Sequence, residues 1–199
     1  FREALPRTNA YALTGTGHCF AAGRISYVLG LHGACEAIDV ACSSALVACH
    51  HAKKALQSQN GCDALLAGVN MIFTAATLDA YATAGLTSAL GKPFVFDARA
   101  CGFVRGEGCG VGLLHADQAP ALVTGSTVCQ DGRSASLTAP NGRAQQMLLI
   151  AVLSDADISP VELQYAEAAA NGSALGDAIE VGAMSSALLW QQARSGALL

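Results

Sequence analysis

Charge is scarce in this sequence. Of its 199 residues only 13% are Asp, Glu, Lys or Arg, against roughly 25% in ordinary soluble domains. Hydrophobic residues make up 52% and the mean hydropathy is +0.39, so the chain is expected to hide extra surface against something. Basic runs are missing as well: nothing exceeds Lys53-Lys54, and the net charge is -4. That excludes the electrostatic footprint of a nucleic-acid or membrane-surface binder. Apolar runs are broken repeatedly by Gly, Asp, Arg, Glu or Gln, and none approaches the roughly 18 residues of a membrane span. The opening stretch FREALPRTNAY has no apolar segment or cleavage pattern behind it, so it does not read as a secretory signal. The expected setting is cytoplasmic, or an organelle.

Metal-ligand spacing is also lacking. The eight cysteines, at positions 19, 35, 42, 49, 62, 101, 109 and 129, never form C-x-x-C, and no histidine stands at zinc spacing beside a cysteine pair. No metal is expected. With no export signal, a disulfide scaffold is not expected either, and most of these cysteines read as buried thiols in a reducing compartment.

What is present is an alternation of strand-like and helix-like segments, without linker, repeat or low-complexity stretch. Residues 36–41 predict a short buried strand, and residues 43–57 an Ala-rich helix with Lys53 and Lys54 in its last turns, where the dipole favours cations. Strands are predicted over 63–71, 108–115, 121–129 and 163–168, and helices over 76–85, 141–154 and 177–192. The pattern implies one continuous α/β domain, a sheet covered by helices.

At the first junction, residues 36–52 read EAIDVACSSALVACHHA. Cys42 stands where a predicted strand meets a helix start, facing unpaired N–H groups and the positive end of the macrodipole, which both stabilise a thiolate. The local sequence leaves two readings open, a nucleophile or a core cysteine at a strand end. His50 and His51 are excluded as its base: eight residues of helix put His50 about 12 Å away. They read as a helix-face or core pair. The glycines around Arg105 and Glu107 lack the Lys-Ser/Thr of a phosphate cradle, so that segment reads as a structural loop, with Gly106 and Gly108 in a turn needing permissive backbone angles.

Five ordered segments carry a family resemblance. DVACSSALVACHHA resembles the active-site segment D-T-A-C-S-S-S-L-V-A-x-H-x-A of β-ketoacyl synthases, the condensing domains of polyketide and fatty acid synthases. GRISYVLGLHG (23–33) is similar to the segment that precedes the nucleophile. FDARACGFVRGEGCGVGLL (96–114) and DGRSASLTAPNGRAQQ (131–146) resemble F-D-A-R-A-D-G-F-V-R-G-E-G-x-G-V-x-x-L and D-G-R-x-x-G-L-T-A-P-N-G-x-A-Q. YAEAAANGSALGDAIEVGA (165–183) resembles Y-V-E-A-H-G-T-G-T-x-L-G-D-P-I-E-V-x-A. The likeness covers nearly the whole chain and is nearest to modular type I polyketide synthases.

The resemblance implies a thiolase-like layered α/β/α/β/α fold, incomplete at both ends, with residues 1–199 as a single partial ketosynthase domain from its central portion. It implies an acyltransferase in which Cys42 is the catalytic nucleophile, no cofactor is bound directly, and substrates arrive as phosphopantetheine thioesters on an acyl carrier protein. A malonyl-type thioester would be decarboxylated and condensed with the acyl-Cys42 intermediate, as in polyketide or fatty acid elongation. The implied partners are that carrier, a second copy in a homodimer, and other synthase domains. The Arg105–Glu107 segment would form a turn near the acyl tunnel, those two residues ion-paired.

One departure bears on the reaction. The family's first catalytic histidine falls on Ala169, the next glycine on Ala170, and the threonines on Asn171 and Ser173. Alanine has no proton to exchange and no hydrogen bond to give an enolate, and Asn171 lies two positions from the histidine's place. The family's N-x-G-H segment with its second histidine and its G-F-G loop do not occur in the sequence. These departures keep two alternatives in view: a non-elongating ketosynthase that only loads and passes on acyl chains, and a non-catalytic structural or dimerisation remnant.

Overall fold

The computed structural model describes residues 9–58, 63–116 and 119–194, with side chains described up to residue 188. The chain divides into two units, residues 1–47 and 48–199.

In the first unit a short helix α1 (Ala12–Thr16) leads into α2 (His18–Leu29), and the Arg24 guanidinium donates to the Thr14 carbonyl at 3.0 Å, tying one to the other. Helix α2 stops where Gly30 turns left-handed, at φ 67°. Glycine takes that conformation without a Cβ penalty, and the Leu31 N–H then closes on the Ser26 carbonyl at 2.9 Å. Residues 36–41, predicted as a buried strand, form no ladder, and all but the half-buried Ile38 are exposed. Their apolar pattern fits a strand, but a strand also needs a neighbour to hydrogen-bond. A 3₁₀ turn (Ala41–Ser43) follows, and then helix α3 (Ser44–Ser58).

In the second unit, β1 (Ala64–Asn70) and β2 (Gly108–Leu114) pair antiparallel, from Ala64 opposite Leu114 to Asn70 opposite Gly108. Leu66 lies across from Gly112 and its side chain packs over that glycine. Between these strands in sequence comes α4 (Ala75–Thr83). Helix α5 (Gly142–Ala156) begins where the sequence places it, because the Asn141 Oδ1 accepts from the N–H groups of Arg143 and Ala144 at 3.1 and 3.2 Å. Asn141 is an N-cap, satisfying two of the donors that every helix start leaves open. Helix α6 (Ala174–Arg194) starts three residues earlier than predicted, since Ser173 caps it through the Gly176 N–H. The buried apolar core among the described residues is Leu153 of α5 with Ala183 and Ala187 of α6, where small side chains let the helices close.

Residues 121–129 and 163–168, whose pattern also predicts strands, form none. Side chains hold the first instead. The Lys53 ammonium donates to the Thr124 carbonyl at 2.8 Å and pairs with Asp155 at 3.0 Å, and Asp155 accepts from the Ser126 N–H at 2.9 Å. Lys53 is therefore buried in a polar bridge rather than exposed as a dipole-favoured cation near a helix end. The Asp155 carboxyl falls from 3.8 to about 2, first because it accepts from the Ser126 backbone, then because of Lys53.

Candidate active site

Cys42 sits in a turn whose backbone is bent sharply and held by its neighbours. Ala41 has φ 57°, left-handed for a residue that carries a Cβ, a conformation that costs about 1 kcal/mol or more and persists only when surroundings enforce it. Three side chains do so. The Ser44 hydroxyl donates to the Ala41 carbonyl at 2.7 Å and accepts from the Val40 N–H at 2.9 Å. The Ser43 hydroxyl donates to the Val40 carbonyl at 2.9 Å, and Asp39 Oδ1 accepts from the Ala41 N–H at 3.3 Å. The serines thus do more than leave room for a tight turn, and the result is an exposed thiol at the entrance to α3.

Exposure does not single Cys42 out. Cys19, Cys35, Cys101, Cys109 and Cys129 are exposed too, and Cys49 is half-buried; Cys62 lies outside the described residues. The expectation of buried thiols fails because few of the described side chains are fully covered. Phe73, Tyr165, Tyr27, Leu122 and Leu137 are each at least 80% exposed. The His50 ring faces Ser126, with Nδ1 3.1 Å from its carbonyl and 2.9 Å from its hydroxyl. As the helical rise predicts, it serves packing at its own end of α3, beside His51.

The segment that aligns with the histidine loop is built from α6. Glu180 accepts from two successive N–H groups, Ala169 at 2.7 Å and Ala170 at 2.9 Å, one to each carboxylate oxygen. One helical turn earlier, the buried Asp177 accepts from the Ser173 N–H at 3.2 Å and the Phe96 N–H at 3.0 Å. The Gly102 N–H donates to the Gly172 carbonyl at 2.9 Å. The loop keeps two left-handed residues, Ala170 at φ 40° and Gly172 at φ 76°. Sequence reasoning does not assign Glu180 or Asp177. A signal is available: two carboxylates at i and i+3 share a helix face, directly after a loop whose N–H groups need acceptors.

The Arg105–Glu107 expectation is corrected. Arg105 stacks on Tyr81, 4.3 Å from the ring centroid, and reaches Asn70 at 3.3 Å, whereas Glu107 accepts from the Ile72 N–H. Each brackets a different part of the ribbon end, so they do not pair. Gly106 and Gly108 have open space around them and no left-handed backbone. The demanding glycine is Gly102, at φ 123°, where a Cβ would fall 2.6 Å from the Leu86 carbonyl oxygen. Among the described residues no His, Cys, Asp or Glu cluster is placed to hold a metal ion, and no helix is long and apolar enough to cross a membrane.

Comparison with known proteins follows these segments closely. Residues 2–119 match the family model "Beta-ketoacyl synthase, N-terminal domain" and residues 120–198 match "Beta-ketoacyl synthase, C-terminal domain". One protein of the phenolphthiocerol/phthiocerol polyketide synthase of Mycobacterium tuberculosis is 43% identical over 180 residues, 86% of this chain and 10% of that protein. Another protein of the same synthase is 44% identical over 184 residues, 88% of this chain and 12% of that protein. The chain thus spans about a tenth of the length of these curated relatives. In solved structures it superposes on the ketosynthase from module 6 of the bacillaene synthase of Bacillus subtilis 168, with a TM-score of 0.86 and 34% identity, over 92% of this chain and 35% of that one. The oxazolomycin ketosynthase domain KS7 of Streptomyces albus JA3453 gives 0.84 and 30%, over 91% and 34%.

Proposed function

This chain belongs to the β-ketoacyl synthase family and carries part of the thiolase-like ketosynthase fold, and from that premise we propose that it serves a polyketide synthase as an acyl-loading, non-elongating ketosynthase. Cys42 is the nucleophile. Its thiolate attacks the carbonyl of an acyl thioester carried on the phosphopantetheine arm of a carrier protein; the new S–C bond forms on Sγ, the old one breaks, and the carrier's thiolate takes up a proton. The braced turn and the helix start behind it favour the thiolate and leave N–H groups open to a developing oxyanion. The partners are the acyl carrier, other domains of the synthase and a second ketosynthase copy.

Condensation asks for more. When a malonyl-type thioester loses carbon dioxide, the enolate oxygen needs a donor or acid at the place where the family keeps its first histidine. The observation that carries the proposal is Glu180: it occupies both N–H groups of Ala169 and Ala170. At these two positions the backbone has no donor left to give, and the alanine side chains have none. Loss of one oxyanion donor commonly lowers a rate by about 10²- to 10³-fold.

The test places residues 9–194 within a complete ketosynthase relative and supplies an acyl thioester with a malonyl-carrier. Mass spectrometry of the Cys42 peptide is expected to show an acyl adduct while little β-ketoacyl product accumulates. Efficient elongation by the unmodified sequence would sink the non-elongating reading. An adduct no more frequent at Cys42 than at the other exposed cysteines would leave a non-catalytic remnant as the answer.

A further inference from the structure

The sequence contains three Asn-Gly pairs, the dipeptide in which a backbone nitrogen meets least obstruction in attacking the preceding side-chain amide. The first, at positions 60 and 61, lies outside the described residues. The other two stand in opposite circumstances. Asn141 is fully engaged: its Oδ1 accepts from two helix N–H groups, and its Nδ2 donates to the carbonyls of Asp131 at 2.9 Å and Arg133 at 3.4 Å. Gly142 is the first residue of α5, so its geometry is that of a helix.

Asn171 differs in its side chain and its backbone. It is exposed, its amide has no hydrogen-bond partner among the described residues, and it lies in a loop between two left-handed residues. Gly172 is buried beside it, but its N–H has no acceptor among the described residues, so deprotonating it breaks no hydrogen bond.

We infer that Asn171 is a site of spontaneous deamidation and isomerisation, from which Asn141 is protected. The Gly172 nitrogen, its proton removed by base, attacks the Asn171 Cγ. The N–Cγ bond forms, the bond from Cγ to the amide nitrogen breaks, and ammonia leaves, giving a succinimide. Water then opens the ring on either side, yielding aspartate or isoaspartate at position 171, with no change of oxidation state. Both products add a negative charge to a loop already held by the Glu180 and Asp177 carboxylates. Isoaspartate also lengthens the backbone by one methylene before Gly172, whose carbonyl is tied to the Gly102 N–H and which sits where even a Cβ would come within 3.0 Å of the Gly102 carbonyl. The inference stands apart from the proposed acyl chemistry: it needs only the loop.

The 199-residue chain is incubated in mildly alkaline buffer, folded and in denaturant, then cut with trypsin. Residues 134–143 carry Asn141 and residues 144–194 carry Asn171, so the two sites separate. Fragment masses report exchange of NH₂ for OH, and methylation by a protein-isoaspartate methyltransferase reports the isomer. The expected result is reaction at Asn171 alone in the folded chain and at both sites in denaturant. Equal reaction at the two sites in the folded chain overturns the inference. So does an intact Asn171 after a time in which the denatured chain has reacted.

Discussion

The turn at Cys42 and the loop at Ala169 solve the same structural problem with opposite chemical outcomes. Each holds a non-glycine residue in a left-handed conformation, Ala41 and Ala170, and each is braced by side chains that hydrogen-bond the backbone around it. At Cys42 the braces are two serine hydroxyls and Asp39, and the residue they present is a thiol. At the loop the braces are Glu180 and Asp177, and the residue presented is a methyl group. The shape of a loop is therefore set apart from the side chain it presents, because different residues carry the two.

The largest expected effect breaks that contrast at its reactive side. In a complete ketosynthase carrying these segments, Cys42→Ala is expected to abolish the acyl adduct, read by mass spectrometry, whereas Ala169→His should leave the adduct alone and raise condensation product. The gain is bounded by the roughly 10²- to 10³-fold worth of one donor. It should fall short of that, because Ala170 replaces the glycine that shapes the family's loop. An unchanged product yield in Ala169→His would show that more than this side chain is missing.

A second comparison sets two glycines against each other. Gly102→Ala combines a left-handed backbone with a Cβ 2.6 Å from the Leu86 carbonyl oxygen, and each term costs on the order of 1 to 3 kcal/mol. Gly106→Ala meets open space and should change the urea midpoint little, by about 0.5 kcal/mol or less. Equal destabilisation by the two would remove the geometric argument.

These cases show how far the sequence can be read. Helices α3, α5 and α6 are legible because caps and periodicity are local: Asn141 and Ser173 sit beside the N–H groups they satisfy. The ribbon is legible as two apolar runs, though its register is not. Residues 36–41, 121–129 and 163–168 mislead because strand formation depends on a distant partner, and β-propensity records mainly a fit to a half-buried surface. Cys42 and Ala169 stand out through motif resemblance. Glu180 does not, since its role is to brace backbone, and nothing in LGDAIE says which N–H groups its carboxylate will meet.

Glu180→Gln is the sharper probe of that brace, with a smaller effect. The amide keeps one oxygen acceptor, so one of the two charge-assisted bonds is lost and the other weakened, a change of about 1.5 to 3 kcal/mol at most. Hydrogen exchange at Ala169 and Ala170 should accelerate, by about tenfold for each 1.4 kcal/mol, with no matching change in the turn at Cys42. Acceleration at both places would mean that the variant loosens the whole chain and that the brace is not local.

The smallest effect concerns acid. Asp155, held by the Ser126 N–H and Lys53, and Asp97, held by the Arg99 side chain and N–H, both fall from 3.8 to about 2. A carboxyl lowered in the folded state binds its proton less readily than in the unfolded chain, so its contribution is complete above the unfolded value and lost as pH falls through the folded one. The loss should therefore lie between about pH 4 and pH 2. Asp155 ties α3, α5 and the Ser126 segment together, whereas the Asp97–Arg99 pair joins neighbours two residues apart on the surface, where ion pairs contribute little. Asp155→Asn should accordingly lower stability near neutral pH and flatten its fall below pH 4, measured as the urea midpoint against pH, while Asp97→Asn leaves both nearly as they were. Equal flattening by the two would place the acid-sensitive contact on the surface pair and take from Lys53 and Asp155 their part in holding the helices.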